Sequence, residues 1–308
     1  NNALIRNNSS DAHRTRTYPD SNYGEAVCLM GSSMFVADKS ARIGGKVEAG
    51  CVYQYDLASA SPTVPLRRFD NPAPGVNDNF GVAMVTSGTR LVIAASHDEA
   101  GTVDNVGTVY VFDLSGPNPA LVLTIPNPIV TSQSYFGGAL AMDGDKLVIN
   151  SISRTRVYDL SSATPGVAVA ELGGSTSSPR AIAINGSRVV IGSHFSDVHG
   201  QDAGSVAVYD LLSPAPQTPV LTLSPPAPIT LGYFGHFVAI EGNTLAVGAT
   251  RAAGASFQAG HVYIYDLASA TPGVPLYQLT DPLAGSVDGR RFGITFALHG
   301  NRILCGTP

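Results

Sequence analysis

Residues 234–266 read FGHFVAIEGNTLAVGATRAAGASFQAGHVYIYD, and the fold is decided here. Phe234-Gly235 opens an alternation through Phe237, Ala239 and Glu241, the period-2 pattern of a half-buried strand. Gly242-Asn243 supplies a tight turn into a second apolar run over residues 245–249. A polar loop then leads to a third strand, residues 261–265, closed by Asp266. Strand, turn, strand, loop and strand make an antiparallel meander.

The same pattern recurs along the chain. Its turn glycine falls at Gly31, Gly88, Gly144, Gly186, Gly242 and Gly300, at spacings of 57, 56, 42, 56 and 58 residues. Upstream of these stand Tyr23-Gly24, Phe80-Gly81, Phe136-Gly137, Ser178-Pro179, Phe234-Gly235 and Phe292-Gly293. A closing aspartate followed by leucine recurs at Asp56, Asp113, Asp159, Asp210 and Asp266, and a fourth apolar segment follows at residues 65–69, 120–125 and 275–279. Repeats of four short strands are the signature of propeller blades, each burying its two faces against neighbours. The expected fold is therefore all-β: a single β-propeller domain over residues 1–308, with six blades of four-stranded antiparallel meanders beginning near residues 23, 80, 136, 178, 234 and 292. A longer parent protein would allow seven.

Two units depart from the pattern. The third is about fourteen residues shorter between its second and third strands, and the fourth has Ser178-Pro179 where the others carry an aromatic-Gly pair. At the ends, residues 2–7 (NALIRN) resemble the fourth strand at residues 65–70 (PLRRFD). The sixth blade is thus expected to be shared between the N- and C-termini and to lack its third strand. Such an open edge implies either a cut from a longer protein or a strand supplied by another subunit, including self-association. A start at Asn1 instead of Met agrees with a processed or excised segment whose targeting information lies elsewhere.

Composition narrows the function classes. Only 13% of the 308 residues are charged, the net charge is −5, and Gly (33) and Pro (21) are plentiful. No basic stripe is present to neutralise phosphates, which argues against nucleic acid. No apolar run approaches the ~18 residues of a membrane-crossing helix. Three cysteines, Cys28, Cys51 and Cys305, give no paired framework. Cys28 and Cys51 fall on the first and third strands of one unit, too far apart to bridge across the strand between them, so buried free thiols are expected.

The pieces Phe234-Gly235, Val247-Gly248-Ala249 and residues 260–266, with near copies at Phe80-Gly81 and residues 107–113, resemble the FG-GAP repeats of integrin α-subunit propellers and their bacterial relatives. The resemblance spans nearly the whole chain and implies an extracellular or cell-surface propeller used in adhesion or binding. One departure matters. Integrin-type repeats often carry an Asp-rich Ca²⁺ loop between first and second strands, where this chain has short turns such as Glu241-Gly242-Asn243. Asp143 and Asp145 supply too few oxygens for Ca²⁺, so no cofactor is implied and a divalent cation has no motif behind it.

Residues that differ between units are where activity belongs, because loops on a rigid scaffold carry function. The loops joining second to third strands and fourth to next first strands are expected on one face. That face offers His97, Asp98 and Asp104, then His194, Asp197, His199 and Asp202, and finally Arg251, Arg290 and Arg291. His194, Asp197 and His199 form the densest metal-capable set, although their spacing matches no zinc signature. Asp98, Asp104 and Asp202 are the acids a glycan-active enzyme would use, but nothing in the sequence brings them together. A Gly-x-Ser-x-Gly elbow and a phosphate loop are both absent. The Tyr-Asp pairs, with Phe112-Asp113 in the second unit, recur at the end of each third strand and have a structural role, the Asp capping the following turn. Asn7, Asn8 and Asn185 sit in Asn-x-Ser sequons, the last in a hairpin turn expected to be type I′.

The reading that follows is a non-catalytic extracellular module whose long-loop face engages a protein or glycan partner, with no nucleic acid and no membrane insertion. A propeller-type hydrolase or lyase, with Asp and His residues at the channel mouth, is the first alternative. A structural subunit of a fibre or surface layer, built by strand complementation, is the second.

Overall fold

The computed structural model describes residues 22–152, 154–173, 181–227, 230–252, 259–283, 290–300 and 302–307. Among these residues there is no helix, and the chain forms five four-stranded antiparallel sheets and one of two strands. Backbone contacts divide it into two compact units, Asn1–Gly137 and Gly138–Pro308. The first unit contains blade 1, with β1 (Tyr23–Met30), β2 (Ser33–Asp38), β3 (Cys51–Asp56) and β4 (Arg67–Asp70). Blade 2 follows with β5 (Ala83–Ser87), β6 (Arg90–Ala95), β7 (Thr108–Asp113) and β8 (Ala120–Pro126).

The second unit opens with blade 3, comprising β9 (Leu140–Asp143), β10 (Lys146–Asn150), β11 (Arg154–Asp159) and β12 (Ala168–Gly173). Blade 4 has β13 (Ala181–Asn185), β14 (Arg188–Ser193), β15 (Ser205–Asp210) and β16 (Leu221–Leu223). Blade 5 has β17 (Phe234–Glu241), β18 (Thr244–Ala249), β19 (His261–Asp266) and β20 (Tyr277–Thr280). The sixth sheet pairs β21 (Thr295–His299) with β22 (Arg302–Gly306). Serial meanders of this kind are consistent with a β-propeller. The strand expected over residues 2–7, the sequons at Asn7 and Asn8, and Ser178-Pro179 lie outside the described residues.

Burial follows the meander. In blades 2 to 5 the second strand is the most enclosed: Leu91, Val92 and Ile93, or Leu245, Ala246 and Val247, are fully buried. Each large apolar side chain so placed contributes about 1.5–3 kcal/mol. Fourth strands are only partly covered, with Val122, Val169 and Tyr277 exposed. Residues 65–69 and 275–279 were expected as strands, but β4 and β20 start at Arg67 and Tyr277. Proline has no N–H to give the ladder, so Pro65 and Pro275 stay outside; the first bonds come from the N–H groups of Leu66 and Leu276 at 2.7 Å.

In the five complete blades the hairpins joining first to second strands have two-residue loops, and left-handed φ is confined to their glycines, between 55° and 59°. They are type II′, not the type I′ expected at Asn185, which pairs with Arg188 as the last residue of β13. In the second unit these tips are tied together. Asp143 Oδ2 accepts the Gly186 N–H at 2.6 Å, Asn185 Oδ1 accepts that of Gly242 at 2.8 Å, and Glu241 Oε2 that of Gly300 at 2.7 Å. Asn185 thereby has a structural role.

Blades abut through glycine. An added Cβ on Gly50 or Gly107 would lie 2.2 Å from the carbonyl oxygen of Phe80 or Phe136, in the first unit. In the second, the corresponding distances from Gly204 and Gly260 to the Phe234 and Phe292 oxygens are 2.0 and 2.4 Å. The four glycines also have φ of 80–90°, a region other residues rarely adopt. Phe80, Phe136 and Phe234 are fully buried beside them.

The recurrent aspartate caps as expected. Oδ1 of Asp56, Asp113, Asp159, Asp210 and Asp266 accepts the N–H two residues on at 2.9–3.0 Å. All three cysteines are free. Cys51 is buried as expected, while Cys28 and Cys305 are only half-buried; burial pushes the Cys28 and Cys51 thiols up to about 12.

Two outcomes are expected in urea unfolding. Gly204→Ala combines a backbone clash with a left-handed φ and should cost about 3 kcal/mol or more. Gly242→Ala meets open space, bears only the left-handed strain, and should cost about 1–2 kcal/mol. The second outcome concerns pH. Asp159 is held down to about 2 by Lys146, 2.5 Å away, and by Ser161. Because this folded-state value is depressed, its stabilisation is present above about pH 4 and fades as pH falls toward 2. Asp159→Asn should flatten that acid-side loss.

Candidate functional site

The loop between second and third strands is zipped to the linker that enters the next blade. In the first unit, Gln133, Tyr135 and Phe136 donate their N–H groups to the carbonyls of Asp104, Asn105 and Val106 at 3.0–3.1 Å. In the second unit, Leu231, Tyr233 and Phe234 do the same to Gln201, Asp202 and Ala203 at 2.7–3.1 Å. Both loop types therefore lie on one side, as expected. Alternate residues of the zipper are left-handed: Asn105, Gln133, Tyr135, Asp202, Leu231 and Tyr233 have φ between 48° and 63°. The geometry brings Tyr135 and Tyr233, each just before Phe-Gly, against the loop of the preceding blade. His97 meets Tyr135 with ring centroids 4.9 Å apart, and Phe195 meets Tyr233 at 5.3 Å, both edge-on.

The junction of blades 4 and 5 adds further groups. His194, 5% exposed, lies 4.0 Å from Phe195, 4.8 Å from His236 and 5.6 Å from Tyr233, ring centre to ring centre. His236 stacks parallel to Tyr233 at 6.4 Å. It sits in the irregular start of β17, where the register with β18 shifts between Phe234 and Phe237. The guanidinium carbon of Arg251 stands 4.4 Å from the Tyr233 ring centre, a cation–π contact worth about 0.5–2 kcal/mol. Phe195 is 38% exposed at the rim. Phe195, Tyr233, His236 and Arg251 thus form one contiguous cluster, with His194 buried beside Phe195 and Tyr233.

Of the residues expected on this face, His194 and Arg251 meet at Tyr233, and the others are engaged separately. Asp197 Oδ1 accepts the Asp202 N–H at 2.8 Å and closes its own loop. His199 Nε2 lies 2.6 Å from Ser224 Oγ. Asp202 contributes its carbonyl to the zipper, and so does Asp104 in the first unit. Arg290 is ion-paired with Asp281, and Arg291 occupies the left-handed position before Phe292. Among the described residues no three His, Cys, Asp or Glu side chains are grouped to hold a metal ion.

In the first unit, His97 Nδ1 is 3.1 Å from Ser96 Oγ. Burial raises the Asp98 carboxyl above its usual range, opposed by hydrogen bonds from Thr108 and Tyr110. Asp78, fully buried, accepts Asn71 Nδ2 at 2.7 Å and the Gly75 N–H at 2.5 Å. Burial and the nearby Asp98 push its carboxyl up too. Its enclosure keeps Asp78 from touching a substrate. Phe195, Tyr135, Tyr233 and Asp78 were not anticipated from sequence. The available signal was an aromatic directly before Phe-Gly, at Tyr135-Phe136 and Tyr233-Phe234.

Comparison with known proteins agrees with this architecture. Residues 230–265 match the FG-GAP repeat. No curated protein matches the chain. Among solved structures, the computationally designed Ika8 protein is similar at 13% identity with a TM-score of 0.53, over 92% of this chain and 80% of that one. The computationally designed Ika4 protein aligns at 15% identity with a TM-score of 0.41, over 61% and 91% of the two chains. At such identity the Ika8 likeness concerns the fold alone. The chain carries an FG-GAP repeat at residues 230–265, the segment that ends in β19 of blade 5.

Proposed function

We propose that this chain is a non-catalytic, extracellular binding module whose long-loop face engages a protein or glycan partner. The carrying observation is the cluster of Phe195, Tyr233, His236 and Arg251, backed by the buried His194. Aromatic rings with polar edges give large contact area at small entropic cost, which is why Tyr and Arg dominate binding hot spots. The zipper holds these side chains before any ligand arrives, so little ordering remains to oppose association. Low charge, the FG-GAP repeat and an adhesion role in related propellers support an extracellular setting.

The test is a glycan array paired with a panel of extracellular proteins, run alongside a hydrolase and lyase screen. Binding is expected, and Phe195→Ala should weaken it about tenfold or more without changing the melting temperature. Turnover that Asp98→Ala or Asp202→Ala abolishes would overturn the non-catalytic reading.

A further inference from the structure

The zipped junctions are equivalent, so their occupants can be compared position by position. The second residue after β6, β14 and β18 is His97, Phe195 and Arg251. The residue before Phe-Gly in the following blade is Tyr135, Tyr233 and Arg291, with φ of 49°, 56° and 47°. The backbone bond that sets this position recurs as well: the N–H groups of Phe136, Phe234 and Phe292 reach Val106, Ala203 and Ala259 at 2.9–3.1 Å. Two junctions fill the paired positions with rings in contact. The third fills both with arginine.

Two guanidinium groups at one junction repel unless an anion lies between them. Arg290 shows the usual remedy, since Asp281 pairs with it. Neither Arg251 nor Arg291 has a carboxylate partner among the described residues, and Arg251 instead leans back over Tyr233. A guanidinium held over a ring presents a planar fork of donors, matched to both oxygens of a carboxylate. Next to it, Phe195 and Tyr233 offer ring surface. An extended chain can lie across these rings.

We propose that this part of the loop face binds a carboxylate-bearing saccharide chain, Arg251 and Arg291 taking the carboxylates and Phe195 stacking on a sugar face. The assignment rests on the reading of this face as a binding surface, and names its ligand. Calorimetric titration of the whole chain with a galacturonate oligomer, its methyl ester and poly-glutamate tests it. The acid oligomer should bind, more weakly as salt is raised, and the ester should bind about tenfold or more weakly. Arg251→Ala should reduce acid binding about tenfold or more, with Arg251→Lys restoring little of it. Arg291→Asn, which keeps a residue tolerant of left-handed φ, should act in the same direction.

Equal affinity for acid and ester, or indifference to both arginine changes, would overturn the assignment. Binding of poly-glutamate without the oligomer would overturn it in favour of an acidic peptide. If neither anion binds but Phe195→Ala abolishes capture of another ligand from the array, the carboxylate assignment falls and the binding face stands. If no array ligand responds to Phe195→Ala either, both fall.

Discussion

A backbone carbonyl resting where a side chain would otherwise stand is the contact on which the rest depends. Gly50, Gly107, Gly204 and Gly260 admit the carbonyls of Phe80, Phe136, Phe234 and Phe292 closer than any Cβ permits. That approach seats each phenylalanine beside the preceding blade, and from there the apolar second strands close around it. In the first unit, Phe35, Phe80, Leu91 and Ile93 form one buried cluster. In the second, Val190, Phe234, Leu245 and Val247 form another. The energy lies in burial, but the glycine decides where burial can occur.

The loop face is a by-product of the same contact. Bringing a glycine against a phenylalanine aligns the loop before one with the linker before the other, and hydrogen bonds then zip the two. Zipping with alternate left-handed residues fixes one side chain just ahead of each phenylalanine. The scaffold sets that place and leaves its occupant free to vary, as Asn79, Tyr135, Tyr233 and Arg291 show. A repeat built this way separates stability from recognition: the recurrent glycine–phenylalanine pair makes the junction, and the residue beside it varies.

This separation explains what could be read from the sequence. The Phe-Gly pairs, turn glycines and closing aspartates were legible because backbone geometry tolerates little else at those positions. The candidate surface was less so. His194, Asp197 and His199 look like a set because they are neighbours in sequence, yet the loop turns between them and they face different partners: Tyr233 and its ring cluster, the Asp202 N–H, and Ser224. Conversely, Phe195 and Tyr233 are far apart in sequence and meet only through the zipper. The type II′ turn at Asn185 was missed for a related reason. Its side chain answers to Gly242 of the next blade, not to its own loop.

A binding face on the zipped side of the blades requires that ligands engage there. Hydrogen exchange of the whole chain, with and without the strongest ligand from the array, tests this most directly. Slowed exchange at the amides of residues 194–196 and 230–236 is predicted, with the hairpin tips at Gly186 and Gly242 unchanged. Protection confined to those tips would contradict it.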